Sequence, residues 1–145
     1  MTIETTTTSS ASIAATWAAL TDVSDWPRWT KSMTSVERLD EGDLRVGSRA
    51  RVKQPGMPSM IWQVDDLREN EGFSWVATSI GVRVTGHHWL SRNPDGTTGI
   101  RLAVEQRGPL AGLVGALTGA RTRRFIGMEA AGLKAASEAY ESKAG

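Results

Sequence analysis

Two adjacent histidines, His87 and His88, are the only imidazoles in the chain. Imidazole is the side chain that exchanges a proton near neutral pH. Both lie in a stretch that alternates like a strand, so one points to each face and they cannot share a metal ion. No metal site is expected. The alternation puts His88 on the apolar side with Val82, Val84 and Leu90, opposite Arg83, Thr85, His87 and Trp89. A buried His88 can orient a ligand carbonyl or shuttle a proton, or it can be an interior histidine satisfied by a neighbour. Asp66 falls on the alternation of Trp62 and Val64 and is the one acidic partner in view. As an Asp at a strand end it also fits a solvated rim position. Arg121 sits between Leu117 and Phe125 on a helical stripe, placed to meet a carboxylate or phosphate at a pocket mouth. Alternatively its stem packs on apolar surface while the guanidinium reaches water. Arg123 and Arg124 read as a solvated face. One acid–base candidate is not a catalytic constellation, so whether any reaction is catalysed stays open, with non-catalytic ligand binding preferred.

Other chemistries are excluded more firmly. The chain has no cysteine, which removes disulfides, thiolate catalysis and cysteine-based zinc sites. No phosphate-binding glycine loop, nucleophile elbow or H-E-x-x-H occurs, and no cofactor is expected. A formal net charge of +1 in 145 residues carries no nucleic-acid footprint. The N-terminal MTIETTTTSS lacks an apolar signal core, so the expectation is a cytoplasmic protein. The greasy run Leu110–Ala120 would reach about 16 Å as a helix. That falls well short of the roughly 30 Å of bilayer hydrocarbon, so no stable membrane insertion is expected.

The elements that must position these residues follow from pattern. Thr2 to Thr8 is β-branched and reads as an opening strand. Ser10 is placed to cap a helix from Ala11 to Leu20 with Ile13, Trp17 and Leu20 on one face. DVSDWPRW starts a second, shorter helical piece limited by Pro27. Six strand-like runs follow, each ending in a turn signal: 32–39, 46–54, 60–68, 73–78, 82–92 and 97–107. Within them Ala50, Val52, Trp62, Val64, Ile100, Leu102 and Val104 share the apolar face. Last comes a helix over about 110–141, its stripe read as Leu110, Val114, Leu117, Arg121, Phe125, Met128, Gly132 and Ala136. A seven-stranded antiparallel sheet with one dry face needs a cover, and this is the only long helix available. One α+β domain over 1–145 is expected.

Several stretches in order carry a resemblance: WAALTD (17–22), DWPRW (25–29), LRVGSRARV (44–52), WQV (62–64), HWL (88–90), GTT (96–98), GPLAGL (108–113) and EAAGLK (129–134). Together they resemble the START-like, Bet v 1-like helix-grip superfamily, in its bacterial polyketide cyclase/dehydrase branch, SRPBCC. The resemblance implies a curved antiparallel sheet gripping the C-terminal helix, with a cavity between them. In many members such a cavity takes apolar small molecules, and some members are enzymes.

Three functional readings stand at this point. The preferred one is a hydrophobic small-molecule binder (lipid, polyketide-like or aromatic) walled by Val52, Trp62, Trp75, His88, Leu102, Leu117, Arg121 and Phe125. Small residues over 111–120 would leave the space, although they would equally permit close helix–sheet packing. The second is a polyketide aromatase/cyclase or dehydratase using His88. The third is an interaction module with a filled core, presenting Trp89 on the outer face. Oligomeric state is not legible.

Overall fold

The computed structural model describes residues 1–144. Seven strands form one antiparallel sheet: β1 (Thr2–Ser9), β2 (Ser35–Arg38), β3 (Arg49–Lys53), β4 (Met60–Arg68), β5 (Gly72–Ser79), β6 (Val82–Arg92) and β7 (Thr98–Arg107). Their order is β1-β7-β6-β5-β4-β3-β2. Two short helices, α1 (Ile13–Thr21) and α2 (Trp26–Trp29), joined by one 3-10 turn, link β1 to β2. A long helix, α3 (Ala111–Ala144), closes the chain. The curved sheet and its covering helix make the helix-grip α+β fold.

The strand faces follow the alternation of the sequence. Ala50, Val52, Val64, Ile100 and Leu102 are buried, and Arg49, Arg51, Gln63 and Arg101 are exposed. The core continues through Leu20, Val23, Trp26, Phe73 and Trp75 to Leu133 on α3. Trp26 is its hub, 5.2 Å from Trp75 and 6.3 Å from Phe73 between ring centroids. Its indole N–H donates to the Leu20 carbonyl at 3.0 Å, which removes the cost of burying it.

Four local expectations need correction. The first helix is capped by Ser12, whose hydroxyl accepts from the Ala15 N–H at 3.1 Å. Ser10 is engaged elsewhere: its N–H and hydroxyl both donate to Glu138 of α3, at 2.8 and 3.0 Å. The runs 32–39 and 46–54 shrink to Ser35–Arg38 and Arg49–Lys53. Residues 45–48 form a turn closed by the Ser48 N–H on the Arg45 carbonyl. In β4 the pairing with β5 shifts between Val64 and Asp66, a β-bulge. The bulge breaks the alternation, so Leu67 packs on the core, while Asp66 holds the solvated rim position that its strand-end place predicts, 3.5 Å from Arg68.

The largest correction is the rotation of α3. Leu110, Leu113 and Leu117 are exposed, Leu117 by 77%. The small residues Ala111, Gly115 and Gly119 face inward instead. A Cβ on Gly115 would meet the Met1 sulfur and lie 3.0 Å from the Gln106 Oε1, and Gly119 lies beside Met1 and Ile3. Close approach to β1 selects the small face, and the leucines turn outward. Between three and four turns further along, Gly132 lets α3 lie against the Trp29 carbonyl, where any Cβ would collide. The C-terminal half is further tied by the Ser9–Ser137 hydroxyl pair at 2.7 Å and by Glu141 accepting from the Ser12 N–H.

Candidate functional site

The open side of this grip leaves two adjoining concave spaces between sheet and helix. The inner one, about 60 Å³, is lined by Val52, Trp62, Trp75, His88, Leu102 and Glu129, among others. The outer one, about 290 Å³, opens past Met57, Ile80, Val114, Thr118, Arg121 and Phe125. Trp62, Gln54, Val104, Ile126 and Glu129 border both.

The inner end is aromatic. His88 stacks on Phe73 at 4.5 Å and meets Trp75 edge-on at 5.9 Å. Trp62 lies 5.8 Å from Trp75. Gly86 stands opposite Trp75 across the β5–β6 ladder, and its missing side chain makes room for the indole. His88 Nδ1 is 3.2 Å from the Phe73 carbonyl. A carbonyl only accepts, so Nδ1 carries the proton and neutral His88 presents Nε2 as an acceptor. Burial pushes the imidazole down to about 4, the Phe73 carbonyl works against this, and His87 adds slightly to it. His88 is therefore neutral at pH 7.

Glu129, on α3, borders the same inner space. It was not read from the sequence. Burial pushes its carboxyl up to about 8, with the Ser32 hydroxyl pulling the other way. At pH 7 it is mostly a neutral acid, hence a hydrogen-bond donor. The signal that could have found it is a carboxylate one helical turn past Phe125 and one before Leu133, all three on one stripe. Gln106 also borders the outer space, and its Oε1 is buried without a partner among the described residues.

The structure thus brings Val52, Trp62, Trp75, His88 and Leu102 together at the inner space, and Trp62, Arg121 and Phe125 at the outer one. Leu117 is not with them; it stands in solvent on the neighbouring flank of the helix. Arg121 reaches toward the β3–β4 loop, its Nη1 about 3.7 Å from where a Cβ on Gly56 would lie, and pairs with no carboxylate among the described residues. His87 faces outward, 3.9 Å from Glu105. Trp89, also on the outer face, donates to His87 Nδ1 at 3.5 Å and lies under Arg68. It is half-buried there.

A curved antiparallel sheet gripping a long C-terminal helix defines a helix-grip protein. The sequence matches the family model for polyketide cyclase/dehydrase and lipid transport over residues 1–138, and the chain belongs to that family. Solved structures agree on the fold. The Zhui aromatase/cyclase from Streptomyces sp. R1128 shares 18% identity at a TM-score of 0.77, over 95% of this chain and 93% of that one. Ara h 8.0201 shares 20% identity at a TM-score of 0.65, over 99% and 98%. A hypothetical protein from Helicobacter pylori shares 14% at 0.77, over 94% and 86%. No curated protein matches the sequence.

Proposed function

We propose that this protein binds a hydrophobic small molecule (a lipid, polyketide-like or aromatic compound) between its sheet and α3. The observation that carries the reading is the roughly 290 Å³ apolar space adjoining an aromatic inner space bordered by two neutral polar groups. Apolar burial at about 25 cal/mol per Å² supplies the affinity. Neutral Glu129 donates to a ligand oxygen and His88 Nε2 accepts from a ligand hydroxyl. An uncharged hydroxyl- or carbonyl-bearing end therefore enters first, because a carboxylate would be desolvated beside Glu129 without a cation. Arg121 stands at the mouth, where a ligand's outer polar group would emerge. Native mass spectrometry of the freshly purified protein tests this. A discrete added mass, lost on denaturation, is the expected result. A clean mass, repeated after incubation with fatty acids, sterols, quinones and aromatic polyketides, would sink the reading.

A second reading is an aromatase/cyclase or dehydratase. It is favoured by one specific feature: His88 and Glu129 border one space with proton affinities displaced in opposite directions, the base low and the acid high. In it the Glu129 carboxyl protonates a leaving hydroxyl or carbonyl oxygen, and His88 Nε2 takes the proton from carbon. Under this reading His88→Ala still retains the ligand mass but no longer turns substrate into product. Under simple carriage the ligand returns unchanged from both proteins.

A further inference from the structure

The antiparallel topology sorts the loops of this molecule between two ends, and charge sorts with them. One end holds the β3–β4 loop, the β5–β6 turn, the exit of β7 and the first half of α3, which together rim the outer pocket. Segments 53–58, 80–83 and 107–124 carry six basic residues, Lys53, Arg83, Arg107, Arg121, Arg123 and Arg124, and no acidic one. The opposite end holds residues 39–48, 69–71 and 93–97, with six acidic residues against one arginine. The N-terminus of α3 adds the positive end of its dipole to the basic side.

The same basic end carries the two most exposed large apolar side chains and two further exposed leucines. Ile80 is 91% exposed, Leu117 77%, Leu113 60% and Leu110 42%. Leu110, Leu113, Leu117, Arg121 and Arg124 follow three- and four-residue steps and so form one stripe of α3, on the flank beside the pocket-lining Val114, Thr118 and Phe125. The Leu110 N–H donates to the Gly81 carbonyl at 3.0 Å, which holds Ile80 at the start of that stripe. Leucines exposed beside arginines on one helical flank match what a helix lying in a bilayer interface presents.

We propose that the pocket-mouth end is a docking surface for an anionic phospholipid bilayer. The leucines and Ile80 enter the headgroup–acyl boundary while Arg83, Arg121, Arg123 and Arg124 meet lipid phosphates; Lys53 is held by the Gln54 and Met57 carbonyls and Arg107 by Glu105. No helix among the described residues is long and apolar enough to cross a membrane, so the contact is peripheral and reversible. Docking in this pose faces the pocket toward the lipid. Only that use as a transfer port rests on the ligand-binding reading; the docking stands on the surface alone.

The test is co-sedimentation of the full chain with phosphatidylcholine vesicles and with vesicles containing about one third phosphatidylglycerol, at low salt and at about 0.5 M salt. The expected result is binding to the anionic vesicles only, weakened by salt. The double variant L113E/L117E should lose it by about tenfold or more at unchanged thermal stability, since both positions are solvent-exposed. R123Q/R124Q should bind less and show a shallower salt dependence. Equal binding to neutral vesicles, or full binding by L113E/L117E, would overturn the proposal. No pelleting with any vesicle would also overturn it. Native mass of L113E/L117E separates the two readings: a retained ligand mass with lost vesicle binding leaves the pocket intact.

Discussion

His88 and Glu129 are the two titratable groups that the fold buries most consequentially. Their effects on stability run in opposite directions with pH. Between about 4.5 and 8 the unfolded chain releases the Glu129 proton while the folded chain holds it, so its contribution falls as pH rises through that window. For His88, the unfolded chain takes up a proton below its ordinary 6.5 that the folded chain refuses until about 4, so stability falls as pH falls through that range. Denaturant melts from acid to mildly alkaline pH should therefore show Glu129→Gln flattening the alkaline limb and His88→Phe flattening the acid one. Parallel curves for parent and variants would show that neither group is buried as described. Strand alternation made His88's inward face legible in the sequence. Glu129 was not legible, because its direction depends on how α3 is rotated.

At the scale of elements, that rotation is decided by where the helix must come closest to its neighbours. Gly132 lies against the Trp29 carbonyl and ring, whereas Gly127 has open space around it. Gly132→Ala should destabilise by about 1–3 kcal/mol despite alanine's better helix propensity. Gly127→Ala, by contrast, should stabilise by about 0.5–1 kcal/mol. Urea melts read both, and a stabilising Gly132→Ala would mean α3 does not rest where it is drawn. The stripe read from the sequence followed the large residues Leu110 and Leu117. The packed stripe follows Ala111, Gly115 and Gly119, because β1 runs directly beneath them. Strand boundaries were closer, with β4 and β6 matching end to end, since turn residues close both. The bulge in β4 had no local signature and turned Leu67 onto the core.

Across the whole molecule, a concave space at one end, a basic rim around it and an acidic far end make the protein directional. Thr118 faces the outer pocket from α3. Thr118→Trp should fill that space and abolish the ligand mass expected in native spectra, while L113E/L117E should retain it. A ligand mass surviving in Thr118→Trp would place the ligand elsewhere. The half-buried Trp89, covered by Arg68 and bonded to His87, offers little as a protein anchor. The two most exposed large apolar side chains, Ile80 and Leu117, stand instead at the pocket end.

What the sequence determined by itself is whatever depends on local period and composition. The order of elements, the dry face of the strands outside the β4 bulge, the need for one covering helix and the exclusion of thiol and nucleotide chemistry all follow from neighbours along the chain. What only the tertiary structure decided depends on contacts far apart in sequence. The Ser10–Glu138 bond moved a helix cap, the fit of Gly115 and Gly119 against Met1 and Ile3 turned the leucines outward, and the same turn brought Glu129 to the space that His88 borders. A helix can rotate about its axis without changing any local preference, so its facing residues are chosen by the surface it meets. The charge polarity was written in the sequence throughout. It became a surface only when antiparallel pairing gathered alternate loops at each end.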